Sequence, residues 1–231
     1  MKTIGLIGGM SWESSIEYYR IINEAAATRL GGLHSAQSLM DSVDFAEIES
    51  LQQQERWSEA AQALRSAAQR LERGGADCIV LCTNTMHKVA DAIQTAVRIP
   101  LLHIADATAQ AIGAAGLRHV GLLGTRFTME EESYIRRLTE RYGLTVHVPD
   151  GPARAKVHRI IYEELVRGRI EPASKKEYLA IIEQLVQAGA EAVILGCTEI
   201  GLLVRPSDCR VPLFDTTRIH ALAAAEYALS D

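Results

Sequence analysis

The chain alternates short, unbroken apolar runs with longer stretches in which apolar residues recur every three or four positions. Runs of the first kind suit strands buried on both faces, and stretches of the second kind suit amphipathic helices. TIGLIGG, from Thr3, is an apolar run closed by paired glycines. From Trp12 to about Arg29 the pattern predicts a helix with Ile16, Tyr19, Ile22 and Ala26 on its packed stripe. The same order continues with a strand near 36–43, a helix near 57–73, a strand at 77–82, a helix near 86–97 and a short strand after Pro100. Continuous apolar strands separated by helices predict an α/β fold whose parallel sheet is covered on both faces.

The second half repeats the first. IGLIGG from Ile4 matches VGLLGT from Val120, GADCIVLCTNT from Gly75 matches GAEAVILGCTE from Gly189, and IPLLHIADAT from Ile99 matches VPLFDTTRIH from Val211. Matched blocks in the same order imply an internal duplication. The expected architecture is two pseudosymmetric α/β lobes, each a mostly parallel sheet flanked by helices, with the active site in the cleft between them. Residues 1–98 with 210–231 would form the first lobe and 99–209 the second. Ligands of open α/β sheets bind beyond the carboxyl ends of the strands, which places residues 8–10, 83–85, 125–128 and 197–199 at the cleft.

Composition narrows the function. The chain has 231 residues, 48% of them hydrophobic and 23% charged, which is globular rather than disordered composition. A net charge of −5 with no long Lys/Arg run argues against nucleic acid as a partner. No apolar run is long enough for a bilayer, and the opening residues lack the layout of a signal peptide, so no membrane partner and a cytoplasmic location are expected. The four cysteines, at 78, 82, 197 and 209, form no CxxC pair and read as thiols.

Under the duplication Thr83 falls on Cys197, Asn84 on Thr198, Thr85 on Glu199 and Cys82 on Gly196. Where a strand gives way to a helix, free N–H groups favour an anion such as a carboxylate and lower the pKa of a thiol. Cys197 therefore becomes a candidate base or nucleophile, while Cys78, Cys82 and Cys209 read as structural. Gly8 and Gly9 let backbone approach a ligand, but GLIGGM lacks the GxGxxG spacing of a dinucleotide site.

GLIGGMSWES at the amino end, CTNTMH at 82–87, LLGTRFTM at 122–129, GCTE at 196–199 and VPLFD at 211–215 together resemble the aspartate/glutamate racemase superfamily, close to its bacterial broad-specificity amino-acid racemase branch. The resemblance implies a cofactor-independent racemase, usually a homodimer, in which a thiolate removes the α-proton of an amino acid and a second group delivers a proton to the opposite face. It implies neither pyridoxal phosphate nor a metal. Such a site must stabilise an enolate-like charge without an electron sink, and Met10, Asn84, Thr85, Thr125 and Thr198 are the expected binding residues.

The chain departs from the family in two places. The second catalytic cysteine of most relatives is here Thr83, a far weaker acid, so the two faces are expected to be unequal; the resemblance implies that Cys197 abstracts from the L-enantiomer, which makes L-to-D the better direction. Basic residues expected for a distal carboxylate are missing: VDFAEIE at 43–49 is acidic and Val166 stands where a lysine is expected. Gln52 could instead bond a neutral side chain, which favours broad or neutral substrates slightly over aspartate or glutamate; Arg56, Lys156 or Arg167 would have to supply a missing charge. Glu199 either orients the Cys197 region or caps a helix, and His87 either orients the cleft or is satisfied by nearby backbone. Asp44 and Glu47 read as surface charges, and Tyr18 and Tyr19 as helix packing. The competing readings are an aspartate/glutamate-specific racemase, a single-cysteine cofactor-free decarboxylase of the same superfamily, and a non-catalytic small-molecule binding protein.

Overall fold

A computed structural model describes residues 1–230, and the chain divides into two compact units. The first, 1–104 with the chain from His220 on, contains β1 (Ile4–Gly8), α1 (Trp12–Leu30), β2 (Ser38–Ser42), α2 (Phe45–Gln53), α3 (Trp57–Arg73), β3 (Cys78–Leu81), a 3-10 turn (Thr85–Val89), α4 (Ala90–Gln94) and β4 (Leu101–Leu102). Its sheet is parallel, in the order β2-β1-β3-β4. Successive side chains of a strand point to opposite faces. Ile79 and Leu81 accordingly join one core with Leu64, Ala68 and Leu71 of α3, while Cys78, Val80 and Cys82 join another with Tyr18, Ile21 and Ile22 of α1.

The second unit, 105–219, runs through α5 (Ile104–Ala114), β5 (His119–Gly124), α6 (Arg126–Glu130), α7 (Glu132–Tyr142), β6 (Thr145–His147), α8 (Gly151–Glu163), a 3-10 turn (Leu165–Arg167), α9 (Pro172–Gln187), β7 (Ala192–Gly196), α10 (Ile200–Leu203), a 3-10 turn (Pro206–Asp208), β8 (Leu213–Asp215) and the start of α11 (Thr216–Leu229). Its sheet is also parallel, in the order β6-β5-β7-β8. The duplication read from the sequence extends to the register. Ile4 pairs with Cys78 as Val120 pairs with Ala192, and Ile79 pairs with Leu101 as Val193 pairs with Leu213.

Some elements differ from their expected form. β4 hydrogen-bonds to β3 and so lies in the first sheet, and β8 hydrogen-bonds to β7 in the second, although residues 99–209 were assigned to the second lobe and 210–231 to the first. On α1, Ile22 and Ala26 are buried but Ile16 and Tyr19, expected on the same stripe, are 52% and 53% exposed. The buried face is Ser14, Ser15, Tyr18, Ile21, Ile22 and Ala26; its serines are satisfied by backbone, Ser14 Oγ donating to the Ser11 and Cys82 carbonyls and Ser15 Oγ to Ser11. The helix expected at 86–97 is divided into the 3-10 turn and α4. The Gln94 side chain donates to the Val97 and Ile99 carbonyls and accepts from the Leu101 N–H, which turns the chain into β4 instead of prolonging the helix. The acidic stretch at 43–49 leads into α2, with Asp44 as its N-cap accepting from the Ala46 N–H. Among the described residues no helix is long and apolar enough to cross a membrane.

Candidate functional site

In the first unit β1 and β3 are parallel neighbours, so the residues that follow them leave at the same sheet edge. Met10 follows β1 and is buried; Thr83 and Asn84 follow β3 and are buried, and Thr85 is half-buried. The Thr83 N–H donates back to the Leu81 carbonyl at 2.8 Å, and the Thr83 carbonyl lies 2.7 Å from His87 Nδ1. Gln52, at the end of α2, is buried with its Nε2 3.0 Å from the Met86 sulfur.

The paired glycines are required by the protein's own packing. Gly9 has φ +92°, and a Cβ there would come within 2.1 Å of the Val43 carbonyl oxygen. At Gly8 the nearest atom is Ser15 Oγ, which also receives the Gly9 N–H at 2.9 Å. The close approach these glycines permit is made by the protein's own backbone and Ser15.

In the second unit Thr125 follows β5 and the segment 197–199 follows β7, again at one edge of neighbouring parallel strands. Thr125 caps α6, accepting from the Thr128 N–H. The closeness of the two strand ends depends on glycine: a Cβ on Gly124 would lie 2.8 Å from the Gly196 carbonyl oxygen. Beyond Gly196 three buried side chains converge. The Cys197 thiol donates to Glu199 Oε2 at 2.9 Å, and the Thr198 hydroxyl donates to the same oxygen at 2.7 Å. Glu199 makes no side-chain cap to α10, so of its two expected roles the structure shows the contact with Cys197.

The electrostatics of Cys197 run opposite to the sequence expectation. Burial raises the thiol pKa well above its ordinary value, the Glu199 carboxylate raises it further, and the backbone N–H groups of Glu199 and Thr198 act the other way without prevailing. The following helix has only four residues, too few to develop much of a dipole, and the nearest full charge is negative. Burial and the neighbouring carboxylate both favour Cys197 as a thiol, and its S–H points at Glu199.

Tyr18 is buried and hydrogen-bonded to His220, whereas Tyr19 is exposed. Asp44 and Glu47 are exposed. Arg56 pairs with Glu59 at the surface, Lys156 lies 3.4 Å from Glu177, and Arg167 is exposed. Cys78 and Cys82 are buried and burial raises both thiols, Cys78 to about 11; Cys209 is half-buried. Sequence reasoning missed Tyr178 of α9, fully buried and held protonated by burial and by the nearby Cys197, Glu164 and Glu199. It also missed Glu164, which accepts from Ser174 at 2.5 Å and from Arg159 at 3.3 Å. Tyr178 sits at an ordinary position of α9 and Glu164 in the turn that ends α8, and no local pattern marks either.

The model of one protein family, described as Asp/Glu/Hydantoin racemase, matches residues 7–224. The chain is 24% identical over 166 residues to the broad specificity amino-acid racemase RacX of Bacillus subtilis (strain 168), covering 69% of this chain and 68% of RacX. Among solved structures it is similar to a candidate Asp/Glu racemase from Yersinia pestis, with 56% identity, TM-score 0.93 and 100% of both chains covered. An aspartate racemase homologue from Pyrococcus horikoshii OT3 is 37% identical with TM-score 0.86, again over 100% of both chains.

Proposed function

The chain belongs to the Asp/Glu/Hydantoin racemase family, and from that premise we propose that it is a cofactor-independent amino-acid racemase with Cys197 as thiolate base and acid and Thr83 in the opposite acid/base position. The observation that carries this reading is the hydrogen bond from the Cys197 thiol to Glu199. A buried thiol with a raised pKa is a poor base until its proton has somewhere to go, and Glu199 supplies that acceptor at 2.9 Å. With the proton on Glu199, the backbone N–H groups of Thr198 and Glu199 favour the thiolate. The thiolate takes the α-proton of the L-amino acid. The substrate becomes an enolate-like carbanion, which Asn84, Thr85, Thr125 and backbone N–H groups stabilise. Thr83 delivers a proton to the other face, or holds the water that does, and solvent restores the protonation of Thr83 and Glu199.

Met10, Gln52, Thr198 and Glu199 complete the proposed binding set. Broad or neutral amino acids fit slightly better than aspartate or glutamate, because Arg56 and Lys156 lie beside carboxylates of their own, Arg167 is exposed, and Gln52 offers an uncharged amide. The broad specificity named for RacX supports the same side. A homodimer belongs to this reading and is carried over from the resemblance; a cytoplasmic location is carried over from the sequence expectation.

The test is incubation of the protein with a panel of L-amino acids in D₂O. At least one gains deuterium at the α-carbon and appears as its D-enantiomer, and Cys197→Ser abolishes both. Absence of exchange from every amino acid, with release of CO₂ from a malonate-type acid, would replace racemisation by decarboxylation.

A further inference from the structure

We propose that His87 is a positioning residue for Thr83: its imidazole ties the segment after β3 to the first residue of α5 and thereby aims the Thr83 hydroxyl. The proposal rests on the racemase reading above and concerns only the proton delivered by Thr83. The 2.7 Å contact joins His87 Nδ1 to the Thr83 carbonyl, and the Ile104 N–H approaches Nε2 at 3.2 Å. A backbone N–H can only donate, so Nε2 carries the lone pair and Nδ1 the proton. Both ring nitrogens are thus engaged by main chain, and the ring has no nitrogen left for moving a substrate proton. The contact instead fixes the peptide plane after Thr83. That plane carries the Asn84 N–H and fixes ψ of Thr83, the backbone angle beside the Thr83 side chain.

The brace is itself held in place. His87 is buried, the His103 ring lies 4.5 Å from its ring centroid, and the His220 ring lies 5.8 Å away. The geometry of His220 is fixed in turn by Tyr18 and by the Leu102 carbonyl on β4. A hydroxyl is a weak acid, and its usefulness depends on aim more than a thiol's does. A misplacement of ~1 Å is worth about 100-fold in rate.

Two substitutions separate the halves of the brace. His87→Asn keeps an amide donor in the place of Nδ1, and His87→Gln keeps an acceptor in the place of Nε2. In D₂O with the L-substrate, cleavage of Cα–H with formation of S–H, followed by solvent exchange and return from sulfur, puts deuterium into the L-pool. Delivery from Thr83 breaks O–D, forms Cα–D on the other face and makes the D-enantiomer. The ratio of D-product to deuterated L-substrate reads delivery from Thr83 against return from Cys197, and it is taken on whatever fraction of enzyme is active, so instability does not enter. The expected result is a ratio lowered about 100-fold in His87→Gln and within a few-fold of wild type in His87→Asn. Equal loss of inversion and exchange in both variants, leaving the ratio unchanged, would overturn the positioning role while the racemase reading stands. No exchange by the wild-type protein would remove that reading and this inference together.

Discussion

His220 couples the stability of the first unit to pH. It is fully buried, its Nε2–H donates to the Leu102 carbonyl at 2.8 Å, and Nδ1 accepts from the Tyr18 hydroxyl at 2.9 Å. Burial pushes its pKa down from 6.5 to about 4, with the Leu102 carbonyl opposing weakly. The folded protein therefore binds this proton less readily than the unfolded chain. The resulting stability is present above pH 6.5, is lost as pH falls, and is gone below about pH 4. At about 1.4 kcal/mol per pH unit, the fall from 6.5 to about 4 corresponds to roughly 3 kcal/mol. His220→Asn keeps an acceptor for Tyr18 and removes the titrating ring. Urea unfolding of both proteins between pH 8 and 4, followed by circular dichroism, should show the wild-type advantage at neutral pH shrinking by about 3 kcal/mol, or roughly 1 M in urea midpoint, toward pH 4. Carboxylates with lowered pKa, such as Asp106 and Asp208, also lose stability in acid, but they do so in both proteins and cancel in the difference. Parallel pH curves would refute a buried neutral histidine.

Three further outcomes are expected. Glu199→Gln removes the charge that raises the Cys197 thiol, so a thiolate absorbance titration, with Cys197→Ser subtracted, should move to lower pH while α-proton exchange slows by about 100-fold or more for want of a proton acceptor; a titration moved to higher pH contradicts the assignment. Thr83→Cys places a second thiol opposite Cys197 in the proposed scheme and should raise D-to-L turnover relative to L-to-D, and unchanged turnover in both directions defeats the asymmetry. Gly9→Ala combines a positive φ, costing about 1–2 kcal/mol, with a clash against Val43 that endangers the Val43 N–H to Gly8 carbonyl bond, worth about 1 kcal/mol. Urea unfolding should show a loss of at least ~2 kcal/mol; a loss under ~1 kcal/mol would mean the loop relaxes around the methyl group.

The parallel strands were readable because a strand buried on both faces needs an unbroken apolar run, as in CIVL of β3 and AVILG of β7. The matched blocks then carried the topology of one sheet to the other. The packed face of α1 was not readable to the same degree. Ile16 and Tyr19 lie on one apolar stripe and Tyr18, Ile21 and Ile22 on another, and the second is the one that packs against Ile4, Leu6 and Val80, with Ser14 reaching the Cys82 carbonyl beside it. The elements around Cys197 were legible from the duplication, but the direction of its pKa was not. A strand-to-helix junction suggests a lowered thiol, and only the folded chain turns the carboxylate of Glu199 back onto the sulfur.

The first unit is discontinuous in sequence, and that imposes an order of assembly. Ala221, Ala224, Ala225 and Ala228 of α11 join Ile4, Leu6 and Val80 in one core, and the Lys2 N–H donates to the Ala228 carbonyl. During synthesis every residue of the second unit, 105–219, is made before these alanines exist. At about 5–20 residues per second the amino-terminal sheet waits on the order of 10 s for the helix that covers its second face. Clipping the last turns of α11 would therefore harm the half of the protein made first, and it would do so by uncovering the strand that leads to Thr83.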